Sequence, residues 1–219
     1  MLTTAAALDA VMEAMPTFEP ESVVLEAAAG RVLRQNVVAE RDQPPFDRVM
    51  MDGIAIAFAD FARGLRKFPL QATQAAGDVR LTLEPGNAIE IMTGASLPEG
   101  SDCIVPVERI TTVNGTAIIE SDYEATERQF IHAQGSDHAQ GAELLTPGKR
   151  ISALDIAVIA SCGLTQVEVS RLPEVSVISP GNELVPAGQP SEAHQIRLSN
   201  GPAVSAVLEH NGCAGGAHG

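Results

Sequence analysis

The chain of 219 residues is poor in aromatic side chains. Aromatic residues make up 3% of it, with one Tyr and no Trp. Because large aromatic anchors are this scarce, a core has to be built mostly from Val, Ile, Leu and Ala, which favours strands and tight packing of small side chains. Apolar residues account for 45% and charged residues for 19%, the balance of a globular protein with one large domain or two small ones.

Basic residues are also few: 14 Lys and Arg stand against 28 Asp and Glu, which gives a formal net charge of −14. This balance argues against nucleic acid binding through a basic field, and an acidic membrane surface would repel the chain. A small anionic ligand stays compatible with it. Such a ligand would need a local pocket of backbone N–H groups, a few cations or a metal ion.

The three cysteines, Cys103, Cys162 and Cys213, lie far apart, and none belongs to a CxxC pair. An odd and sparse set argues against a disulfide framework and is typical of a reducing compartment. No secretory signal is recognisable, and no apolar run reaches the length of about 18 residues that a transmembrane helix needs. We therefore expect a cytoplasmic protein that does not enter the membrane.

Hydrophobic periodicity predicts a helix over residues 3–15, since Leu8, Val11, Met12 and Met15 recur at helical spacing. The pattern changes to short strands separated by turn signals after the prolines at 44 and 45. This spacing predicts a small β-barrel or sandwich. The predicted strands are residues 51–58, 81–83, 88–92, 103–107 and 117–119.

Beyond residue 135 the pattern is that of an α/β unit. Ser152 and Asp155 have the spacing of a capping box and predict a helix over residues 153–162. Two further strands are predicted, and the second should be a buried parallel strand. Asn200 is predicted to cap a last helix. The two strands are residues 167–169 and 175–178.

Three segments carry polar groups that could serve chemistry. Asp52 precedes a glycine at a turn, Thr93 and Gly94 offer a hydroxyl and N–H groups that could hold an oxyanion, and Glu183 follows a predicted strand, where it could bind Mg²⁺. Each segment also has an ordinary structural explanation, as a turn, a strand end or a solvated loop acid. Their order and spacing are what favour a shared function.

Five ordered blocks, taken together, resemble the molybdopterin molybdenumtransferase family, the MoeA and gephyrin E-domain group. The family patterns are P-x-F-D-x-S-A-M-D-G-Y-A, T-G-A-x-x-P-x-G-A-D, G-x-D-x-x-x-G, S-T-G-D-E-L and D-S-N. The corresponding segments are residues 44–55, 93–102, 135–141, 179–184 and 198–200.

The resemblance implies insertion of molybdenum from molybdate into adenylylated molybdopterin, with Mg²⁺-assisted loss of AMP. It also implies a homodimer that works with a molybdopterin-adenylylating protein and with molybdoenzymes. The implied catalytic residues are Asp52, Thr93, Asp137 and Glu183, with Glu183 also as the metal ligand. The implied cofactor-binding residues are Gly94, Ser179, Gly181, Ser199 and Asn200.

The implied fold is an α+β multidomain protein. A β-rich, barrel-like domain would be inserted in an elongated α/β linker domain, followed by the truncated start of an α/β molybdopterin-binding domain. The expected divisions are residues 1–45 and 136–172 for the linker, 46–135 for the β-rich domain and 173–219 for the incomplete α/β domain. With these divisions the chain stops where the second α/β strand should begin, and these residues alone should not turn over substrate.

Several polar positions of the family patterns carry a different residue here, while the glycines, prolines and apolar strand positions remain. Two alternatives to the enzyme therefore stay open: a divergent paralogue that binds molybdopterin without inserting metal, and a dimeric scaffold. Restoring molybdoenzyme activity in a deficient strain would separate them. The departures are Val49, Met50, Ile54, Glu90, Phe130, His132, Pro180, Asn182 and Leu198.

Overall fold

The structure, a computed structural model, describes residues 2–218. The chain forms two compact units, one of Met1–Val37 with Leu144–Gly219 and one of Val38–Glu143. We call the second, continuous unit the sheet unit and the first the split unit. The four-part division that the resemblance implies stays a prediction.

The elements follow one another in an order dominated by short strands. The helices are α1 (Thr4–Ala14), α2 (Phe58–Ala62), α3 (Ala153–Ser161) and α4 (Asn200–His210). The strands are β1 (Pro20–Val24), β2 (Val37–Val38), β3 (Arg48–Val49), β4 (Gly53–Ile56), β5 (Lys67–Gln74), β6 (Ala88–Ile91), β7 (Cys103–Pro106), β8 (Ile110–Val113), β9 (Thr116–Ile119), β10 (Ile131–His132), β11 (Glu143–Leu145), β12 (Gln166–Ser170), β13 (Glu174–Ile178), β14 (Leu184–Val185), β15 (Ile196–Arg197) and β16 (Ala214–His218).

The sheet unit is built around one six-stranded sheet in the order β7-β4-β6-β5-β9-β8, curled into a half-barrel. Successive side chains of a strand point to opposite faces. In β4, Ile54 and Ile56 accordingly join one apolar cluster with Phe68, whereas Ala55 joins a second cluster with Ile104. The strand that leads out of the Asp-Gly turn is thus buried on both faces, which fixes the position of that turn.

Comparison with the predicted strands shows where the sequence patterns were informative. The segments 88–92, 103–107 and 117–119 are confirmed as β6, β7 and β9. The strand predicted at 81–83 is wrong, because Thr82 makes only an isolated bridge to Glu99. Residue Phe58 begins α2 instead of ending a strand, and the eight-residue strand β5 was not predicted.

In the split unit, β1 pairs antiparallel with β12 beside α3. The capping box predicted for α3 is confirmed, since Asp155 N–H donates to Ser152 Oγ while Ser152 N–H donates to Asp155 Oδ2. These elements enclose an apolar cluster that includes Leu33, Ile159 and Val169, each 0% exposed. This core is aliphatic, as the composition predicted.

The last part of the split unit pairs β13 with β16 in parallel, with α4 between them in the chain. The prediction of a parallel strand is confirmed, but its burial is wrong: Ile178 is 74% exposed and alternate residues of β13 are exposed. The expectation that the chain stops before a second strand is also wrong, because β16 is that strand. Ser199 occupies the cap position of α4, so Asn200 is its first residue and not its cap.

The helix predicted over residues 3–15 is confirmed as α1, which begins at Thr4 after the Thr3 side chain has accepted a hydrogen bond from Ala6 N–H. No residue of α1 is buried, and its apolar side chains, such as Met12, are exposed. Among residues 2–218, no helix combines the length and the apolar character needed to cross a membrane.

Candidate functional site

Asp52 and Thr93 are brought together by the pairing of β4 with β6. These strands run antiparallel with Gly53 opposite Ile91, so the residues just outside the paired segment meet at the same end. Thr93 N–H and Thr93 Oγ1–H both donate to Asp52 Oδ1, at 2.6 and 2.7 Å. Two residues 41 positions apart in sequence thus form one hydrogen-bonded unit.

The hydrogen bonds from Thr93, first from its hydroxyl and then from its backbone N–H, lower the pKa of the exposed Asp52 carboxyl below its usual value. Both bonds favour the charged form, which is the general effect of donors on a carboxylate. Asp52 is therefore an anion at neutral pH and a weak base. It is suited to accept a hydrogen bond or to face a positive group, and less suited to remove a proton.

Gly53 is required where Asp52 enters the sheet. A Cβ built on Gly53 would lie 2.0 Å from the carbonyl oxygen of Val105 on the neighbouring strand β7. No side chain fits at that distance, so only glycine lets the two backbones approach this closely. The Asp-Gly pair is thus explained by packing at its second residue.

Gly94 turns the chain after Thr93 with φ +88°. Its N–H donates to the carbonyl oxygen of Val49, and Val49 N–H donates back to Ala95, which fixes the loop against β3. Since Thr93 also donates both of its groups to Asp52, the prediction that Thr93 and Gly94 present a free set of oxyanion donors is wrong for these groups. A role of Gly94 in contacting a cofactor stays a prediction.

Asp137 lies beside His132, on the chain that follows β10. His132 Nε2 is 2.9 Å from Asp137 Oδ1, and His132 Nδ1 is 3.2 Å from Arg48 Nη2. Arg48 and His132 stand directly opposite each other in the antiparallel pair of β3 with β10. The pairing of β3 with β10 therefore brings the guanidinium of Arg48, the imidazole of His132 and the carboxylate of Asp137 into one row of contacts at the surface of the sheet unit.

Several of these residues line two cavities of the sheet unit. A shallow one of about 320 Å³ is lined by Arg48, Thr93, Gly94 and His132, and one of about 420 Å³ contains Asp52 among its lining residues. Thr93, which lines the first, donates to Asp52, which lines the second. The predicted residues Asp52, Thr93, Gly94 and Asp137 are thus brought to one region of the sheet unit.

The departures from the family patterns differ in their consequences here. Val49 and Ile54 are buried in apolar clusters, so their side chains serve packing. Glu90 is exposed, accepts a hydrogen bond from Thr73 Oγ1 at 2.7 Å and lines the same cavity as Asp52. That cavity therefore carries two carboxylates, which makes its entrance more favourable to cations than to anions.

A second group of predicted residues lies in the split unit. Ser179, Ser199 and Asn200 line a cavity of about 270 Å³ together with Arg197. The cavity lies at the start of α4, where backbone N–H groups have no partner within the helix and the helix dipole favours an anion. Ser199 makes no capping hydrogen bond with its side chain, so its hydroxyl is available to a ligand.

Gly181 and Glu183 lie next to this cavity in sequence but are not among its lining residues. A Cβ on Gly181 would lie 2.6 Å from Glu183 Oε1, which shows that the carboxylate folds back over the glycine. Glu183 is exposed, and residues 2–218 contain no group of three or more Asp, Glu, His or Cys side chains that could hold a metal ion. Mg²⁺ binding by Glu183 stays a prediction.

Arg48 and His132 are the two residues of the region that the sequence did not single out as site residues. Arg48 occupies a variable position inside the first block, and His132 drew notice only as a departure from the family pattern. Their contact joins residues 84 positions apart, which no local pattern signals. The one available signal was a cation within a block that already carried a candidate carboxylate.

The family is shown by comparison with known proteins. The family model described as the MoeA N-terminal region (domain I and II) matches residues 2–163, which is more than half of the chain. The chain belongs to this family, and the identification made from the five sequence blocks is confirmed.

Relatives and solved structures agree with this assignment. A molybdopterin molybdenumtransferase of Synechocystis is 33% identical over 213 residues, 97% of this chain and 55% of its own. Molybdopterin molybdenumtransferase 2 of Mycobacterium tuberculosis is 35% identical over 93% of this chain and 51% of its own. The crystal structure of a molybdopterin biosynthesis MoeA protein from Pyrococcus horikoshii superposes with a TM-score of 0.82, at 29% identity, over 99% of this chain and 56% of that one. The chain thus spans about half the length of the relatives it matches.

Proposed function

We propose that the chain acts in molybdenum cofactor biosynthesis as part of a molybdopterin molybdenumtransferase. The reaction would insert molybdenum from molybdate into adenylylated molybdopterin and release AMP. The observation that carries the proposal is the Asp52–Thr93 pair, in which two elements of a MoeA-like sheet hold one carboxylate in its charged form. The names of the relatives support the reaction class.

Asp52 would act by charge and orientation. With Oδ1 fixed by Thr93, the second carboxylate oxygen keeps a defined direction and can accept a hydrogen bond from an N–H or O–H group of the substrate. Its lowered pKa keeps it charged at neutral pH and makes it a poor proton acceptor. We therefore assign Asp52 a role in positioning the substrate, with Asp137 and Thr93 as its neighbours in the same unit.

The cavity of the split unit would receive an anionic part of the substrate. Ser179, Ser199 and Arg197 supply hydroxyl and guanidinium donors there, and α4 begins at its edge. A phosphate group fits this combination, since helix N-termini and arginine both favour oxyanions. Pro180 and Leu198 line the same cavity without a side-chain donor, so the anion would depend on fewer contacts than the family pattern provides.

Mg²⁺ remains part of the proposal through the family resemblance, with Glu183 as its candidate ligand. A magnesium ion usually keeps several waters and takes only one or two carboxylates from the protein, the rest of its contacts coming from substrate phosphates. When bound it would neutralise phosphate charge. The roles proposed for Asp52, Thr93 and Arg197 do not depend on it, because they rest on the hydrogen bonds of Thr93 to Asp52 and on the place of Arg197 in the cavity lining.

The proposed partners also follow from the family. They are a second copy of the chain in a homodimer, the molybdopterin-adenylylating protein and the recipient molybdoenzymes, with the cytoplasm as their place of action. Light scattering of the purified protein tests the dimer directly. A mass equal to one chain of 22.9 kDa over a wide concentration range would contradict it.

A genetic test addresses the function. The complete gene that carries this chain is introduced into a strain without molybdenumtransferase, and molybdoenzyme activity is measured. We expect restoration by the natural gene and a loss of at least about 100-fold with Asp52→Asn, which removes the charge but keeps the shape. Asp122→Asn is the matched control, because Asp122 is also exposed and lines neither of the two cavities described at this site. Equal activity of all three genes would contradict the role of Asp52.

A further inference from the structure

Gln74, the last residue of β5, is a polar side chain that the sheet unit buries completely, with 0% exposed. A buried amide needs partners, since an unpaired donor or acceptor in the interior is costly. Gln74 Oε1 accepts from Leu81 N–H at 2.7 Å, and Gln74 Nε2 donates to the Ser96 carbonyl oxygen at 2.6 Å. Because the Leu81 group only donates and the Ser96 carbonyl only accepts, the two partners fix which way the amide faces.

The Ser96 carbonyl belongs to the loop that follows β6. This loop, residues 92–96, carries Thr93, and we call it the Thr93 loop. Gln74 holds it at both ends: its backbone carbonyl accepts from Met92 N–H at 3.2 Å, directly before Thr93, and its side-chain amide donates to Ser96 at the far end. The parallel pairing of β5 with β6 brings this about, since it places Gln74 opposite Ile91, the residue before the loop.

The middle of the Thr93 loop is held from its other side by backbone atoms. Gly94 N–H donates to the Val49 carbonyl oxygen, and Val49 N–H donates to the Ala95 carbonyl oxygen, both at 2.9 Å. Replacing a side chain does not remove these bonds. The bond from Gln74 Nε2 to Ser96 is different, because it ends when the amide is replaced. Gln74 is therefore a point at which a side chain decides how firmly the loop is held.

We propose that Gln74 is a positioning residue: it restrains the Thr93 loop at both ends and so keeps both donors of Thr93 on Asp52. Thr93 N and Oγ1 lie 2.6 and 2.7 Å from Asp52 Oδ1, and hydrogen bonds weaken steeply when a donor turns away. Gln74 is not among the lining residues of the cavities that contain Thr93 and Asp52, so it acts through Thr93. Its consequence for catalysis rests on the proposed function, whereas its effect on Asp52 does not.

A buried glutamine can also serve stability alone, by satisfying the backbone groups around it. The two roles differ in what they predict for Asp52. If Gln74 contributes only stability, a folded variant without the amide keeps the pKa of Asp52 at its lowered value. If Gln74 positions Thr93, the pKa of Asp52 rises towards its ordinary value, because the two hydrogen bonds that lower it are weakened.

Gln74→Met in the full chain separates these roles, since Met is unbranched, adapts to the space of Gln and has no amide. A ¹³C NMR titration of the carboxyl groups measures the pKa of Asp52, which we expect to rise in Gln74→Met. Gln71→Met is the matched control and should leave Asp52 unchanged. Gln71 lies on the same strand, and its amide also joins two backbone groups, the Thr82 carbonyl and the Glu84 N–H, each at 2.9 Å and outside the Thr93 loop.

A second measurement needs no variant and therefore does not depend on whether Gln74→Met folds. In the unaltered chain, the side-chain NH₂ group of Gln74 is buried and hydrogen-bonded, whereas Gln71 is exposed. We expect the NH₂ protons of Gln74 to exchange with solvent at least about tenfold more slowly than those of Gln71. Exchange at the same rate would show that the amide does not hold the loop and would overturn the proposal.

The catalytic consequence is measured as the rate of molybdenum insertion by the complete gene product. We expect Gln74→Met to lower this rate at least about tenfold, because the orientation of Asp52 is lost, and Gln71→Met to leave it unaltered. An unshifted pKa of Asp52 in folded Gln74→Met, with insertion by the unaltered protein, would contradict this proposal alone. A raised pKa of Asp52 in Gln74→Met, without any insertion by the unaltered protein, would contradict the proposed function alone.

Discussion

Asp52 is exposed to solvent, yet its carboxylate has a fixed orientation because both donors of Thr93 converge on one oxygen. A carboxylate of this kind differs from the usual solvated side chain in two respects. Its second oxygen points in a defined direction, and its pKa lies below the ordinary range. Both properties depend on a single neighbouring residue, so they can be tested by changing that residue.

Replacing Thr93 by Val removes the hydroxyl donor and keeps both the shape and the backbone N–H. The pKa of Asp52 should rise towards its ordinary value without reaching it, since the hydroxyl is the larger of the two causes and the N–H remains. A ¹³C NMR titration of the carboxyl groups measures the change. Thr73→Val, which removes a hydroxyl donor to Glu90 at the surface, is the control and should leave Asp52 unchanged. An unshifted Asp52 in Thr93→Val would show that the hydroxyl bond does not hold it.

Gly53→Ala should destabilise the sheet unit severely, by about 3 kcal/mol or more, because the new Cβ would overlap the Val105 carbonyl. Gly115→Ala is the comparison. It has φ +75° but no atom within 4 Å of the new Cβ, so only backbone strain of about 1 kcal/mol applies. Urea unfolding of both variants measures the difference. Equal losses would show that the close approach at Gly53 is not the decisive constraint.

The sequence could supply part of this residue-scale picture. The blocks around Asp52, Thr93 and Asp137 identified the carboxylates and the hydroxyl, because family patterns preserve residue types at fixed spacing. They did not show that Thr93 donates both of its hydrogen bonds to Asp52, nor that Arg48 reaches His132. Those facts depend on which strands pair and in which register, and a register is set by the whole sheet.

At the scale of elements, α3 begins at a capping box that the sequence predicts and the structure confirms. Ser152 and Asp155 form the capping box, and Lys149 Nζ lies 2.7 Å from Asp155 Oδ1. The hydrogen bonds from Lys149 and from Ser152 lower the pKa of Asp155 to about 2. Such a cap can be read from sequence because every partner lies within one or two turns of the helix start.

Ser152→Ala should lower the free energy of unfolding by about 1 kcal/mol through loss of the N-cap. Urea unfolding measures the loss. Ser161→Ala, in the last turn of the same helix, is the control and should cost less than about 0.5 kcal/mol, because its hydroxyl donates only to the Val158 carbonyl. Equal losses at the two ends of α3 would contradict a specific contribution of the cap.

The Asp155 carboxylate also predicts how stability depends on pH. Its folded pKa of about 2 lies below the ordinary value of 3.8, so its stabilisation is complete above about pH 4 and is lost as the pH falls towards about 2. The stability difference between the unaltered chain and Asp155→Asn should therefore shrink over that interval and stay constant above it. Unfolding curves at a series of pH values measure this. A difference that grows on acidification would contradict the assignment.

Strand β5 is an element that the sequence pattern did not predict. It spans Lys67–Gln74, contains Pro69 and alternates exposed with buried or half-buried residues, so it lacks the continuous apolar run that marks β7. Proline usually signals an edge strand or a break. Here β5 lies inside the sheet, and the segment around Pro69 pairs antiparallel with β9. Pairing with β6 on one side and β9 on the other, together with the burial of Phe68, keeps these residues extended.

At the scale of the whole molecule, the net charge of −14 does not favour the binding of the proposed anionic substrates. A chain this acidic does not attract a phosphate or a molybdate ion by its overall field. In the proposed function, binding depends on local donors, which are Arg197 and the start of α4 in the split unit. The proposed enzymatic function therefore depends on a few specific contacts.

The decisive measurement is molybdenum insertion by the purified complete gene product. Adenylylated molybdopterin, molybdate and Mg²⁺ are supplied, and molybdenum bound to the pterin and AMP released are quantified together, for the unaltered protein, Asp52→Ala and Asp122→Asn. We predict that the unaltered protein and Asp122→Asn insert molybdenum at equal rates, each with one AMP released per cofactor formed. With Asp52→Ala, which should still fold, we predict an insertion rate at least about 100-fold lower. Insertion by Asp52→Ala at the unaltered rate would contradict the proposed function of this carboxylate.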